Sequence, residues 1–249
     1  MRRKLAAGNW KMNGSVSALA ELTTLATQID PLGCETVICP PSTLLFHAYD
    51  IAKSTGIAIG TQYCHAQIQG PFTGDVSAQM IAETGASYVI AGHSERRESY
   101  AETDSAVHNQ ILAVWKENLT AILCIGESGE DRGAGITLDT IATQLSGSLP
   151  DGATGENAVI AYEPVWAIGT GDVPTLTQIG EVHDFIRAQL VRRFGDTQGN
   201  AIRLLYGGSV KPSNAAEIFT VENVDGALVG GASLQAVDFI PIIQALNDA

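Results

Sequence analysis

The sequence of 249 residues is poor in positive charge, because 14 Lys and Arg stand against 27 Asp and Glu and the formal net charge is −13. Such a charge is repelled by nucleic acid and by anionic membrane surfaces, so we expect neither as a partner. Long apolar runs are also missing, and none reaches the length that spans a bilayer. The composition is nevertheless 45% hydrophobic and 16% charged, which allows a large buried core. These features predict a soluble globular protein.

Cysteine is sparse, and the chain has four: Cys34, Cys39, Cys64 and Cys124. They form no C-x-x-C pair and have no histidine at a metal-ligand spacing, so we expect no metal site. Three of the four lie in or beside apolar runs, where cysteine behaves as a small core residue, and this favours a reducing cytoplasm. The basic residues Arg2, Arg3 and Lys4 are not followed by the apolar stretch of an export signal, which supports the same location.

Short apolar runs alternate with longer amphipathic stretches along the whole chain. Eight runs are predicted strands, at 4–9, 35–39, 57–62, 87–91, 119–125, 158–163, 202–206 and 224–229. Most of them are almost continuously apolar, which is typical of parallel strands buried on both faces.

The stretches between these runs carry helix start signals. Thr175 and Gln178 have the spacing of a capping box and predict a helix that runs to about Gly195. Pro41 precedes a predicted helix at 42–53, and Pro212 lies at the start of another at 213–219.

Eight strand–helix units in succession predict an α/β fold, a single (β/α)8 barrel domain over residues 1–249 with parallel strands inside and helices outside. An open, doubly wound sheet uses the same alternation and is the alternative. The count of eight, without signs of a second domain, favours the barrel.

Barrels of this kind carry their active sites where strands end and the following loops begin. Asn9 ends the first predicted strand and Lys11 lies two residues beyond it, His93 follows the fourth, and Glu163 ends the sixth. A closed barrel would bring these side chains to one mouth. A lysine, a histidine and a carboxylate beside glycine-rich turns suit a small phosphorylated molecule.

Each of these residues also has a structural explanation. Lys11 could be a solvated surface lysine, His93 a hydrogen-bonded core histidine, and Glu163 a partner in a salt bridge. In the functional interpretation Glu163 is a general base beside a carbonyl, and Lys11 contacts the phosphate and developing negative charge. His93, at a helix N-terminus, would stay neutral and donate a hydrogen bond.

Two glycine pairs predict a phosphate site. Ser209 follows Gly207 and Gly208 after the seventh run, and Gly230 and Gly231 follow the eighth. Backbone N–H groups at such turns bind anions, and barrels often place a phosphate there. The alternative is a pair of tight turns that need positive φ.

The connection after Glu163, residues 164–174, is long for a strand-to-helix loop and carries Trp166 and Ile168, which we expect to be exposed. We predict a lid, with Pro164, Trp166, Ile168 and Thr170 among its residues, that closes over the site and excludes water. The alternative is a loop packed on its own apolar side chains.

Five segments, in this order along nearly the whole chain, resemble the triosephosphate isomerase family. They are GNWKMNG at 8–14, AGHSERR at 91–97, AYEPVWAIGTG at 161–171, YGGSV at 206–210 and LVGGAS at 228–233. The segments that contain His93 and Glu163 are the most specific.

The resemblance implies an isomerase that interconverts dihydroxyacetone phosphate and glyceraldehyde 3-phosphate, in glycolysis and gluconeogenesis, without a cofactor. Glu163 would move a proton between adjacent carbons through an enediolate, with His93 and Asn9 hydrogen-bonded to the oxygens. Lys11 would stabilise charge, and Glu95 would support the site behind His93. The resemblance also implies phosphate-binding amides and an apolar cover over Glu163: Gly169, Ser209, Gly230 and Gly231 for the phosphate, Ile168 and Leu228 for the cover.

The family also forms homodimers through its third loop, which corresponds here to Phe72, Thr73, Gly74 and Asp75. The resemblance implies that Thr73 approaches the active site of the partner, and a long loop with an exposed Phe fits an interface.

Two departures from the family pattern stand out. Asp75 replaces the usual Glu and is one methylene shorter, so an interface in which it pairs with Arg96 would differ in geometry. Asp172, Val173 and Pro174 replace the usual basic and small residues at the end of the lid. Proline fixes φ and restricts the residue before it, so we expect altered lid kinetics.

From the residues alone, two other functions stay open. A barrel aldolase would use Lys11 as a Schiff-base nucleophile, which borohydride with substrate would trap. A non-catalytic sugar-phosphate-binding protein would account for the glycine loops but not for a carboxylate under an apolar lid.

Overall fold

The computed structural model describes residues 2–30, 33–168 and 173–249. Its strands are β1 (Leu5–Asn9), β2 (Glu35–Cys39), β3 (Ile57–Thr61), β4 (Tyr88–Ala91), β5 (Thr120–Ile125), β6 (Ala158–Tyr162), β7 (Arg203–Tyr206) and β8 (Gly226–Val229). Neighbouring strands are parallel in chain order, and β8 pairs with β1, so the sheet closes. This confirms the barrel and rules out the open sheet. The strand limits differ from the predicted ones by at most two residues.

The helices follow the strands and lie outside them. They are α1 (Leu19–Gln28), α2 (Leu45–Ala52), α3 (Ala78–Glu83), α4 (Ser94–Tyr100), α5 (Asp104–Lys116), α6 (Gly129–Gly133), α7 (Thr137–Ser148), α8 (Leu176–Ala201), α9 (Ala215–Ile218) and α10 (Ala236–Asn247). Short 3₁₀ turns precede or replace helices at Val16–Ala18, Ser42–Leu44, Val165–Ala167 and Gly231–Ser233. No helix in the described ranges is both long and apolar enough to cross a membrane.

Strand side chains alternate between two cores. In β1, Leu5 and Ala7 belong to the core inside the barrel, whereas Ala6 belongs to the larger core between strands and helices. The same alternation places Val159 and Ala161 of β6 inside. Because successive strand residues point to opposite faces, the continuation of each strand decides which side chain enters the mouth of the barrel.

The predicted helix starts are mostly confirmed. Thr175 Oγ1 accepts the Gln178 N–H at 3.3 Å, and Gln178 Oε1 accepts the Thr175 N–H at 2.9 Å, which is the capping box. The helix continues past Gly195 to Ala201, but Gly195 has φ 77° and ψ 167°, so the helical backbone breaks where its end was predicted.

Two other predicted helices are shorter than expected. The segment after Pro41 begins with the 3₁₀ turn Ser42–Leu44 before α2. The helix predicted at 213–219 is only the four residues of α9. The reason is local, because Asn214 Oδ1 accepts the Lys211 N–H at 2.8 Å and holds the preceding residues in a turn.

Candidate active site

The predicted catalytic side chains meet at the carboxyl ends of the strands. Asn9 and Glu163 each lie two residues beyond an inward-facing alanine and are 5% and 2% exposed. His93 reaches the same place by another route, since Gly92 has φ +68° and turns the chain so that His93 caps α4. These side chains and Lys11 line a cavity of about 320 Å³.

His93 and Glu163 form a buried, hydrogen-bonded pair. His93 Nε2 lies 3.0 Å from Glu163 Oε1, and Glu163 Oε2 accepts the Ser94 N–H at 3.0 Å. His93 Nδ1 accepts the Glu95 N–H at 3.3 Å. Because Nδ1 acts as an acceptor, Nε2 is the ring nitrogen that carries the proton and donates it toward the carboxylate.

Burial and pairing act in opposite directions on this pair. Burial raises the pKa of Glu163, but His93, the Ser94 N–H and Lys11 lower it, so that it lies below its ordinary value of 4.5. Burial lowers the pKa of His93, but the Glu163 carboxylate raises it above its ordinary value. The pKa of each group therefore depends on the contact between them, and a ligand that came between them would change both pKa values.

Lys11 is held in an unusual backbone conformation with φ 53°. Asn9 Oδ1 accepts the Lys11 N–H at 3.0 Å, and Gln62 Nε2 donates to the Lys11 carbonyl at 2.8 Å. At the other end of the side chain, Lys11 Nζ lies 2.5 Å from Glu95 Oε1. The strained backbone turn thus places the Lys11 side chain at the mouth of the barrel, and the ion pair with Glu95 orients its ammonium group.

Neither glycine pair has positive φ, and only the first pair is explained by close approach of neighbouring atoms. A Cβ on Gly207 would lie 2.9 Å from Glu163 Cγ, and one on Gly208 would lie 2.2 Å from the Tyr206 hydroxyl oxygen and 3.0 Å from Pro164 Cγ. A Cβ on Gly230 would meet Lys11 Cε only at 3.5 Å, and one on Gly231 would meet nothing within 4 Å. The first pair therefore allows Glu163, Tyr206 and Pro164 to pack closely, whereas the second leaves space in the cavity.

The lid segment differs in part from the prediction. Pro164 is buried, and Trp166 and Ile168 are half-buried instead of exposed. Trp166 is drawn inward because its Nε1 donates to Glu127 Oε1 at 2.9 Å. Ile168 lines the cavity, as does Leu228, opposite the end of β6. The predicted residues Gly169, Thr170 and Asp172 lie outside the described residues.

The structure brings most of the predicted residues together. The cavity is lined by Asn9, Lys11, His93, Glu163, Ile168, Ser209, Leu228, Gly230 and Gly231 from the predicted set, and also by Gly207, Gly208, Val210, Lys211 and Ala232. Glu95 lies apart from this wall. Its side chain is 52% exposed and lines a second, adjoining cavity of about 650 Å³.

Three residues of the site and its surroundings were not predicted from the sequence: Gln62, Lys211 and Glu127. Glu127 lies two residues beyond β5, the same offset that singled out Lys11 after β1, so the signal was present. It is fully buried and also accepts the Tyr162 O–H at 3.1 Å. Gln62 follows β3 directly, but the residues around it in the sequence do not indicate that its side chain donates a hydrogen bond to the Lys11 carbonyl.

Loop residues Phe72, Thr73, Gly74 and Asp75 are exposed beside the second cavity. Asp75 does not pair with Arg96 within the chain, because Asp75 Oδ1 accepts the Tyr63 O–H at 3.1 Å and Arg96 pairs with Glu102 at 2.8 Å. Among the described residues, no group of three or more His, Cys, Asp and Glu is placed to hold a metal ion.

Comparison with known proteins agrees with this arrangement. The sequence model of the triosephosphate isomerase family matches residues 4–246. A triosephosphate isomerase from Dinoroseobacter shibae is 60% identical over 99% of this chain and 100% of its own length. One from Ruegeria pomeroyi is 58% identical over 100% of this chain and 99% of its own.

A solved structure gives the same answer in three dimensions. The crystal structure of triosephosphate isomerase from Bartonella henselae at 1.6 Å resolution superposes with a TM-score of 0.92, at 50% identity, over 98% of each chain. Fold, site geometry and sequence similarity extend over the same residues, and the chain belongs to the triosephosphate isomerase family.

Proposed function

We propose that this chain interconverts dihydroxyacetone phosphate and glyceraldehyde 3-phosphate through an enediolate, with Glu163 as the base that moves the proton between adjacent carbons. The observation that carries the assignment is the buried Glu163 carboxylate, 3.0 Å from His93 Nε2, in a cavity that also contains Lys11 and Asn9. A carboxylate in such a position costs solvation free energy and has an evident use as a proton acceptor.

The base gains strength when substrate enters. In the empty site, the hydrogen bonds from His93 and Ser94 lower the pKa of Glu163 against the effect of burial. A substrate carbonyl that takes over the His93 Nε2–H removes part of that lowering, and burial then raises the pKa. The carboxylate thus becomes a better proton acceptor once a substrate is bound.

Charge that develops on the enediolate oxygens meets donors already in place. His93 Nε2–H is one, since Nδ1 is held as an acceptor by the Glu95 N–H. Asn9 is a second, because its Oδ1 is occupied by the Lys11 N–H and its amide N–H groups are left for the ligand. Lys11 Nζ supplies positive charge at the same end of the cavity.

The phosphate would lie against the two glycine loops. Ser209, Gly230 and Gly231 border the cavity, and Gly231 has open space where other residues carry a Cβ. Backbone N–H groups in such loops bind phosphate without any positive side chain, which suits a chain of net charge −13. Gly169 completes this set by resemblance to the family. Ile168 and Leu228 would cover Glu163 and exclude water.

A Schiff-base aldolase is less favoured. Lys11 Nζ lies 2.5 Å from a carboxylate oxygen of Glu95, whereas an amine nucleophile needs a free lone pair. A lysine placed in this way acts as a fixed charge.

The function is tested by coupling the turnover of glyceraldehyde 3-phosphate to reduction of dihydroxyacetone phosphate. We expect rapid turnover by the wild type and a loss of about 10²- to 10⁴-fold in Glu163→Gln, since that change removes the general base. Glu163→Asp should lose about a hundredfold, because it retracts the carboxylate by about 1 Å. Glu181→Gln, an exposed glutamate on α8, is the matched control. An active Glu163→Gln variant would contradict the assignment of the base.

The same proposal includes a homodimer formed through the loop of Phe72, Thr73, Gly74 and Asp75. The second cavity supports it, because it adjoins the active site and shares Asn9, Lys11 and His93 with the first. Large apolar side chains are exposed on this side of the barrel: Met12 is 95%, Tyr100 69% and Phe72 37% exposed. Such a patch favours burial against a second copy. The fold of each copy is proposed to be one domain over residues 1–249 and its location cytoplasmic, with all four cysteines free and buried.

The dimer is tested with Thr73→Arg. A charged side chain entering the second cavity would meet Arg96, which lines it, so we expect dissociation and a fall in kcat/KM. Sedimentation velocity measures the mass, and the coupled assay measures activity on the same samples. Thr197→Arg, the same change at an exposed threonine on α8 away from the second cavity, is the matched control. A Thr73→Arg variant that sediments as the wild type does would count against this interface.

A further inference from the structure

The side-chain amide of Gln144, on α7, holds both polar groups of one backbone residue. Gln144 Oε1 accepts the Gly126 N–H at 2.8 Å, and Gln144 Nε2 donates to the Gly126 carbonyl at 2.9 Å. Gly126 directly follows β5, where the strand ladder has ended. The glutamine therefore supplies to Gly126 the two bonds that a neighbouring strand would supply.

Gly126 is in direct contact with the backbone of the base. The peptide unit whose N–H donates to Gln144 has the Ile125 carbonyl at its other side, and that carbonyl accepts the Glu163 N–H at 2.8 Å. A Cβ on Gly126 would lie only 1.7 Å from the Glu163 carbonyl oxygen. One peptide plane thus links the Gln144 amide to the Glu163 backbone.

The carbonyl two peptide units further along the chain extends the link to the lid. The Glu127 carbonyl accepts the Val165 N–H at 3.1 Å, and the Glu127 carboxylate accepts the Trp166 Nε1–H. Residues 125–127 therefore form a backbone segment that aligns Glu163 and the first turn of the lid. Gln144, on α7, holds the middle residue of this segment, Gly126, through two hydrogen bonds.

We propose that Gln144 is a positioning residue for Glu163, one that sets the carboxylate against His93 and Ser94. The proposal rests on the proposed function of Glu163 as the base. Hydrogen bonds in series polarise one another, and the Gly126 peptide is rigid, so a displacement at Gln144 is passed on to the Glu163 backbone. The side chain of Gln144 has no place in the cavity wall and would not contact substrate.

Gln144→Met removes both bonds at nearly constant volume, and Gln144→Glu keeps the acceptor but loses the donor. We expect Gln144→Met to lower kcat about tenfold with KM within twofold of the wild type, because a misplaced base slows chemistry while the phosphate site is intact. The loss in Gln144→Glu should also fall on kcat. Gln244→Met, an exposed glutamine on α10, is the matched control.

A titration of the Glu163 carboxyl by ¹³C NMR supplies a readout that does not depend on turnover. The contacts with His93 and Ser94 lower the pKa of Glu163, so their loosening in Gln144→Met should move that pKa upward. Circular dichroism and thermal unfolding verify that each variant is folded. A purely structural role would lower the melting temperature and leave the Glu163 titration and kcat as they are, which would overturn the proposal.

The two proposals fail in different ways. If the wild type does not turn over triose phosphate, the proposed function fails, and the NMR titration still decides whether Gln144 positions Glu163. If the wild type is active and folded Gln144 variants retain its kcat and its titration, only the role of Gln144 is refuted.

Discussion

At the scale of single residues, the candidate active site continues the inward-facing positions of the strands to their carboxyl ends. Glu163 follows the inward positions Val159 and Ala161, and Asn9 follows Leu5 and Ala7. A polar side chain at such a position is forced into the mouth of the barrel, where burial changes its chemistry. Because side chains alternate along a strand, the position of Glu163 in the sequence places its carboxyl inside the barrel. Burial and the neighbours it meets there shift its pKa.

The first prediction concerns the coupling between His93 and Glu163. His93→Leu removes the main influence that lowers the pKa of Glu163 and leaves burial opposed only by the Ser94 N–H and Lys11, so this pKa should rise. ¹³C NMR titration of the Glu163 carboxyl measures it. His47→Leu, an exposed histidine on α2, should leave the titration unchanged.

The same shift has a consequence for stability. Because the folded-state pKa of Glu163 lies below its ordinary value, the ionised carboxylate favours the folded state above that value, and this contribution is lost as the pH falls. The wild type should therefore lose this stability in acid, and His93→Leu should have less of it to lose. A Glu163 pKa that is unchanged in His93→Leu would show that the pair is not coupled.

At the scale of elements, loops and helix ends position the site residues that the strands do not carry. The left-handed Gly92 and the start of α4 orient His93, and Gln62 holds the strained turn of Lys11. The first turn of the lid is tied to Glu127 through Trp166. The contacts of Gln62 and Glu127 join segments far apart in sequence, so these partners could not be inferred from local patterns.

The second prediction concerns the end of the lid. Pro174 is buried at the start of α8 and restricts Val173, which is 50% exposed. Proline fixes its own φ and restricts the residue before it, so this part of the chain has fewer backbone conformations than it would have with alanine. Pro174→Ala should therefore raise kcat and KM together if lid motion limits turnover. Steady-state kinetics with variation of solvent viscosity measure both, and identical constants would show that the departure from the family pattern is neutral.

At the scale of the whole molecule, the barrel is closed at its amino-terminal end by a buried ionic cluster. Asp225, just before β8, accepts from Arg2 at 2.7 Å and from Arg187 of α8 at 3.1 Å. It also accepts the Leu204 N–H of β7 at 2.9 Å. Arg187 and Asp225 are almost fully buried, so each needs the other.

The third prediction follows from this cluster. Asp225→Asn leaves the buried Arg187 without its counter-charge and should lower the free energy of unfolding by about 3 kcal/mol. Asp50→Asn, which breaks an exposed pair with Lys53, should change it far less, because solvent and salt screen that pair. Urea unfolding of the three proteins measures the difference. Equal effects of the two substitutions would show that closure of the barrel does not depend on Asp225.

Much of this protein could be predicted from its sequence, because its main signals are local. The near-continuous apolar runs, the Thr175–Gln178 capping box and the polar residues at strand ends all depend on neighbours within a few positions. They determined the eight strands, the barrel and the membership of Asn9, Lys11, His93 and Glu163 in one site.

Only the tertiary structure decided how those residues act. The contact of Nε2 of His93 with Glu163, the Lys11–Glu95 pair, and the grips of Gln62 and Gln144 join residues between 18 and 84 positions apart. Spacing along the chain does not encode such pairs, because they exist only after the strands close and bring separate loops to one mouth. The hydrophobic pattern of the sequence determines the order of the elements, whereas packing across the barrel determines the pKa and the alignment of the Glu163 carboxyl.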